Sequence, residues 1–157
     1  MTSLRWDADP QRIVGIGASA GGLEALRLLV AGLPHDSGLS FVVLQHLLPH
    51  QTATLAMLLA SVSPLPVIDA APRQRLVPDT IVIAAPQTGA ELHGGAVELR
   101  PIDGGPPERP IDLLFASLAQ VAGAGAIGIV LSGTGHDGTY GLHQILAAGG
   151  STIVQEP

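Results

Sequence analysis

Runs of β-branched and other apolar residues alternate along this chain with segments whose apolar positions recur at helical spacing. Strand-like runs at 13–16 and 41–44 are followed by helical segments at 23–31 and 52–60. A strand followed by a helix, twice in succession, predicts parallel strands joined by right-handed crossovers. The first part of the chain therefore predicts the opening of an α/β domain.

The middle of the chain departs from this rhythm. Residues 66–68 and 80–83 are predicted as short strands, and residues 91–99 alternate polar and apolar positions around the pair Gly94-Gly95. A glycine pair flanked by such alternation is typical of a β-hairpin. We expect an antiparallel hairpin excursion at one edge of the sheet.

The last part of the chain returns to alternating strands and helices. The predicted elements are a proline- and glycine-rich loop over 101–110, a helix over 111–121, a strand over 127–131, a helix over 137–148 and a strand over 152–154. The whole pattern predicts a three-layer α/β/α fold around a mainly parallel, doubly wound (Rossmann-like) sheet.

Composition supports a buried sheet and removes several kinds of site. Hydrophobic residues make up 46% of the chain and charged residues 13%, as suits strands covered on both faces. The absence of cysteine excludes disulfides, thiolate zinc sites and a cysteine nucleophile. We expect neither a metal nor a cofactor.

Charge and hydropathy bear on location and partners. A net charge of −6 argues against a nucleic-acid partner, because phosphate binding depends on clustered positive charge. The polar residues 1–10 do not resemble a signal peptide, and no apolar stretch reaches the roughly 18 residues of a membrane span. We expect a cytoplasmic protein that does not insert into a membrane.

One turn carries the first candidate for chemistry. Residues 17–21 read Gly-Ala-Ser-Ala-Gly between the first strand and the first helix. This G-x-S-x-G spacing is typical of a sharp turn that presents its serine to a substrate. Ser19 is therefore a candidate nucleophile.

The carboxyl ends of three predicted central strands carry Ser19, His46 and Asp137. Open α/β sheets bind their ligands at this edge. A hydroxyl, an imidazole and a carboxylate are the groups that nucleophilic hydrolysis of an ester or amide requires. We therefore predict that these three residues form a catalytic triad.

Each of the three residues also has a purely structural explanation. Ser19 could be a helix N-cap, His46 could hydrogen-bond a loop, and Asp137 could cap the helix that it opens. Among the other histidines, His50 is separated from His46 by a proline that disfavours a helical metal pair, and His136 adjoins Asp137 on a turn. The joint position of Ser19, His46 and Asp137 at strand ends favours a catalytic triad over three separate structural roles.

A dinucleotide site is the main rival on residue pattern alone. Gly15-x-Gly17-x-x-Ala20 fits the Rossmann fingerprint. A nicotinamide ribose is bound by an acidic residue at the end of the second strand, where this chain has Gln45 and His46. A P-loop has still less support than a dinucleotide site, because the chain contains no lysine.

Four segments resemble the catalytic domain of the chemotaxis protein-glutamate methylesterases. These segments, in order and at similar spacing, are 16–22, 43–46, 109–115 and 131–138. The resemblance extends from about Ile13 to Pro157 and is closest to the form found in proteins that fuse this domain to a receptor methyltransferase. Residues 1–10 are then an N-terminal tail, and residues 11–157 form the catalytic domain.

The resemblance implies a serine esterase that removes methyl groups from glutamyl esters on chemoreceptor helices and also deamidates receptor glutamines. It gives Ser19 the nucleophile's role, His46 the base's and Asp137 that of the orienting carboxylate. The oxyanion is expected to be held by the backbone N–H groups of Ala20 and Thr134. A catalytically inactive docking module of the same fold remains the alternative.

Three departures from the family pattern accompany this resemblance. Many members have threonine where this chain has Ala20, although the fusion-type members share the alanine. We expect no receiver domain before Met1, and therefore expect regulation by a receiver or methyltransferase module on a longer or separate chain. The family's domain also continues past the equivalent of Pro157 through a further helix and strand, which we expect this chain to lack.

Overall fold

The computed structural model describes residues 11–46, 52–84, 88–100, 109–132 and 136–156. Its strands are β1 (Ile13–Ala18), β2 (Ser40–Gln45), β3 (Val67–Asp69), β4 (Gln74–Arg75), β5 (Ile81–Ile83), β6 (Gly89–His93), β7 (Ala96–Arg100), β8 (Ala126–Leu131) and β9 (Ser151–Val154). Its helices are α1 (Leu23–Ala31), α2 (Thr52–Ala60), α3 (Pro110–Ala122) and α4 (Thr139–Ala147), with short 3-10 turns at Ala20–Gly22 and Gly123–Gly125. Among the described residues, no helix has the length and apolar character that a membrane span requires.

The main sheet of the described chain has six parallel strands in the order β3-β5-β2-β1-β8-β9. Strand β1 is central and pairs along its full length with both neighbours, so that Ala18 lies beside Gln45 of β2 and Leu131 of β8. Because the strands are parallel, their carboxyl ends share one edge of the sheet. The segments that follow β1, β2 and β8 therefore begin side by side.

Both faces of this sheet are covered by helices. Successive residues of a strand point to opposite faces, and in β1 the side chain of Ile13 enters one buried cluster while that of Val14 enters the other. The first cluster contains residues of α3 and α4, and the second contains residues of α1 and α2. These layers confirm the predicted three-layer α/β/α fold.

The predicted hairpin is present, but it does not extend an edge of the main sheet. Strands β6 and β7 pair antiparallel and join β4 in a separate sheet of order β4-β7-β6. This second sheet packs on α3, where the Leu92 N–H donates to Ser117 Oγ at 2.8 Å. The short strands β3 and β5 pair in parallel with the main sheet, since each follows a crossover that the sequence pattern did not reveal.

Two predicted helix boundaries are corrected. Pro110 was assigned to the loop but is the first residue of α3, where its fixed φ suits the helix and its missing N–H costs nothing. Helix α4 begins at Thr139 and not at Asp137, because Gly138 has a φ of 103° that ends the preceding turn. The rest of the predicted loop, 101–108, lies outside the described residues.

Candidate active site

The turn after β1 is shaped by close packing rather than by backbone strain. Ser19 has extended dihedral angles, with φ −75° and ψ 172°. A Cβ atom at Gly17 would lie 2.6 Å from Ile111 Cγ2, and one at Gly22 would lie 3.1 Å from the carbonyl oxygen of Leu131. Glycine is therefore needed on both sides of Ser19, because α3 and the end of β8 approach the turn closely.

The hydroxyl of Ser19 is directed across the turn towards the end of β8. It donates a hydrogen bond to the carbonyl oxygen of Ser132, a residue that adopts a left-handed φ of 52°. The side chain of Ser19 makes no N-cap hydrogen bond to the turn that follows it. Ser19 thus occupies the N-cap position of the 3-10 turn, but its hydroxyl does not cap that turn.

His46 continues the ladder of β2 by one residue and brings its ring to the same edge. Its backbone N–H donates to the carbonyl of Ala18 at 3.0 Å, which fixes it beside the Ser19 turn. Its Nε2 lies 3.0 Å from Asp137 Oδ2, and its side chain is 41% exposed. A carboxylate bonded to Nε2 favours the tautomer with the proton on that nitrogen, which leaves Nδ1 as the basic atom.

Asp137 caps a helix, but not the helix that it precedes. Its Oδ2 accepts the Ile111 N–H at 3.0 Å and its Oδ1 accepts the Asp112 N–H at 2.8 Å, both from the first turn of α3. Its side chain is only 13% exposed. These two backbone donors from the first turn of α3 fix the orientation of the Asp137 carboxylate towards His46.

The structure joins two of the predicted triad residues directly and places the third in the turn that follows the neighbouring strand β1. His46 and Asp137 share a hydrogen bond, whereas Ser19 is bonded to Ser132, and no hydrogen bond joins it to His46 in the described part of the chain. Ala20 opens the 3-10 turn after Ser19. Thr134, the other predicted oxyanion donor, lies outside the described residues, as does His50.

His136 is exposed and does not take part in the His46–Asp137 pair. Its backbone carbonyl accepts the Thr139 N–H at 3.3 Å, as part of the turn into α4. Among the residues that the structure describes, no group of three histidine or acidic side chains could hold a metal ion. The chemistry available at this edge is that of a hydroxyl, an imidazole and carboxylates.

Sequence reasoning missed two buried polar residues near the site. Gln45 is 3% exposed and its Nε2 donates to the carbonyl of Ser19 at 3.4 Å, while its Oε1 has no partner. Asp112 is 6% exposed and lies in the first turn of α3. Gln45 is the sequence neighbour of His46, so its proximity to the site is visible in the sequence. Asp112 lies beside Asp137 only in the folded chain, so its proximity could not be predicted.

Comparison with known proteins identifies relatives that match most of this chain. The family described as CheB methylesterase matches residues 14–157. A protein-glutamate methylesterase/protein-glutamine glutaminase of Anaeromyxobacter dehalogenans is 37% identical over 150 residues, covering 92% of this chain and 42% of that protein. A second, from Xanthomonas oryzae pv. oryzae, is 39% identical over 152 residues, covering 92% of this chain and 42% of the relative.

A solved structure agrees with these sequence matches. The crystal structure of the Thermotoga maritima CheB methylesterase catalytic domain superposes with a TM-score of 0.78 at 32% identity, covering 91% of this chain and 78% of that one. This chain spans about two fifths of the length of the curated relatives it matches. The predicted family resemblance and fold class are confirmed.

Proposed function

Because this chain belongs to the CheB methylesterase family, we propose that it hydrolyses glutamyl methyl esters on chemoreceptor helices and releases methanol. The names of its relatives support hydrolysis of glutamyl methyl esters in a protein and also support deamidation of protein glutamines, which uses the same acyl chemistry. The observation that carries the proposal is the hydrogen bond between His46 and Asp137 beside the Ser19 turn. We further propose that the protein acts in the cytoplasm, where the receptor helices are accessible.

In the proposed reaction, Ser19 Oγ attacks the ester carbonyl while His46 takes its proton. The basic atom is Nδ1, because Nε2 faces Asp137 at 3.0 Å. The tetrahedral intermediate then expels methoxide, which takes the proton from His46 and leaves as methanol. Water, deprotonated by the same histidine, hydrolyses the acyl-serine and regenerates the hydroxyl.

Asp137 contributes orientation and charge. It holds the ring by Nε2 and stabilises the imidazolium that forms when Ser19 is deprotonated. Its own position is held by two N–H groups of α3, so that little reorganisation is needed when charge develops. The backbone N–H groups of Ala20 and Thr134 remain our proposed donors to the oxyanion.

The Ser19 hydroxyl must leave the Ser132 carbonyl before it can be deprotonated by His46. Rotation about χ1 of an incompletely buried serine is a fast, inexpensive motion between staggered conformers. A bound ester at the edge of the sheet would favour the reactive conformer. The resting hydrogen bond is therefore compatible with catalysis.

The test is methanol release from a purified, methylated chemoreceptor fragment by the wild-type protein and by Ser19→Ala. We expect the variant to lose at least about 10⁴-fold in kcat/KM, because the nucleophile itself is removed. Ser61→Ala is the matched control, since Ser61 is exposed at the end of α2 and bonds only to its own helix. Equal rates for Ser19→Ala and the wild type would refute the assignment.

A fluorophosphonate probe distinguishes an enzyme from a docking module that has lost catalysis. Labelling that disappears in Ser19→Ala and persists in Ser61→Ala supports the esterase. A folded wild-type protein that neither reacts with the probe nor releases methanol would support the docking module.

A further inference from the structure

Helices α3 and α4 begin side by side, and each is capped by a carboxylate of the other's segment. Asp137, just before α4, accepts the N–H groups of Ile111 and Asp112 at the start of α3. Asp112, in the first turn of α3, accepts the N–H groups of Gly138 and Gly141 at the start of α4, at 3.0 and 2.7 Å. The capping is thus reciprocal.

Neither helix is capped by its own N-cap residue. Arg109 before α3 and Gly138 before α4 make no side-chain capping hydrogen bond. The first N–H groups of a helix require acceptors, particularly when the helix end is buried. The two carboxylates therefore supply what each helix lacks, and in doing so they fix the two helix ends relative to each other.

Asp112 acts on the backbone that carries Asp137. Its Oδ1 holds the N–H of Gly138, the residue directly after Asp137, while α3 holds the Asp137 carboxylate. The main chain and the side chain of Asp137 are thereby fixed from the same helix. Without the Asp112 side chain, the backbone at 137–138 would be released while the carboxylate remained tethered, and its direction towards His46 would change.

Burial and bonding show which atom of Asp112 is used. The residue is 6% exposed, and its Oδ2 is buried without a hydrogen-bond partner. Both contacts to the start of α4 are therefore made by Oδ1. Only Oδ1 is used for capping, which an asparagine side chain could also supply.

We propose that Asp112 is a positioning residue for the His46–Asp137 pair, acting through the backbone of Gly138. The expected effect of Asp112 on catalysis rests on the proposed esterase function, whereas its effect on the orientation of the His46–Asp137 pair does not. Asp112 would not touch the substrate.

The variants separate geometry from charge. Asp112→Asn keeps an acceptor oxygen at Oδ1 and removes the charge, whereas Asp112→Glu keeps the charge and moves both oxygens outward by one methylene. Asp112→Ala removes both the acceptor oxygen and the charge. Asp36→Ala is the matched control, because Asp36 is an exposed acid that precedes β2, at the other end of the sheet.

The structural readout is the tautomer of His46, measured from the ring ¹⁵N chemical shifts and assigned with His46→Gln. We expect the Nε2–H tautomer in the wild type, Asp112→Asn and Asp36→Ala, and a mixture of tautomers in Asp112→Glu and Asp112→Ala. Far-UV circular dichroism confirms folding, and if the alanine variant does not fold, the Asn and Glu variants still decide the question. A wild-type tautomer in the Glu and Ala variants, or its loss in Asn, would overturn the proposal.

The kinetic readout is kcat and KM for methanol release from the methylated receptor fragment. We expect kcat to fall about 100-fold in Asp112→Ala and Asp112→Glu with little change in KM, as for a small misplacement of a catalytic group. Asp112→Asn should stay within about tenfold of the wild type. If neither the wild type nor any variant releases methanol, the proposed esterase function is wrong, and the His46 tautomer still tests the role of Asp112. If the wild type and all variants are equally active, only the proposed role of Asp112 is wrong.

Discussion

The close approach of α4 to α3 predicts that Gly141 cannot be replaced by alanine without cost. A Cβ atom at residue 141 would lie 2.5 Å from Phe115 Cβ and 3.2 Å from the Cα of Asp112. Neither atom can rotate away, because both are fixed to the backbone of α3. The two helices would have to separate by about an ångström to restore ordinary van der Waals contact.

Two opposing effects set the magnitude. Alanine favours a helix interior by about 1 kcal/mol over glycine. Overpacking against a rigid neighbour costs typically 1–3 kcal/mol, and the backbone contacts here place Gly141→Ala at about the upper value. We therefore expect a net loss of about 2 kcal/mol in the free energy of unfolding, with a further loss if the 2.7 Å hydrogen bond from Gly141 to Asp112 lengthens.

The measurement is urea unfolding of Gly141→Ala and of a control, Gly32→Ala. The control site has φ −90°, and a Cβ there would meet no atom closer than 3.6 Å. Gly32→Ala should be neutral or stabilised by up to about 1 kcal/mol through the unfolded state. A midpoint for Gly141→Ala equal to or above that of Gly32→Ala, at unchanged m-value, would show that the reasoning about helix approach is wrong.

Two further predictions test the core and the order of the sheet. Phe115 is fully buried with its ring over Gly15 and Gly128, so Phe115→Ala should lower the free energy of unfolding by about 3–5 kcal/mol, measured by chemical denaturation. Leu28 is 67% exposed, so the control Leu28→Ala should change this free energy by less than about 0.5 kcal/mol. Amide hydrogen exchange should be slowest in the central strand β1 and on the order of 100-fold or more faster in the edge strand β9. Equal protection of β1 and β9 would contradict the strand order.

The elements of the fold could be predicted from local pattern. Helices α1 and α2 begin and end where the periodicity places them, and β1 and β2 are each two residues longer than predicted. Strands buried on both faces give continuous apolar runs, and helices give a repeating stripe, so both are visible in sequence. The predicted starts of α3 at Ile111 and of α4 at Asp137 were wrong, because each start depends on the backbone angles of a single residue, Pro110 and Gly138 respectively.

The arrangement of the short strands required the tertiary structure. Three residues such as Val67–Asp69 or Ile81–Ile83 carry too little pattern to show whether they pair in parallel or antiparallel. Parallel pairing of β3 and β5 depends on crossovers between distant segments. The separate sheet of β4, β6 and β7 depends on the surface that α3 offers to the hairpin.

The amino-acid order is enough to show which chemical groups stand at strand ends, because Ser19, His46 and Asp137 each follow a recognisable strand. How these groups are held depends on the packing of the folded chain. The 3.0 Å contact of His46 with Asp137, the capping of α3 by Asp137 and the return contact of Asp112 join residues up to 91 positions apart. Such contacts arise from how helices and strands pack, and local periodicity carries no information about them.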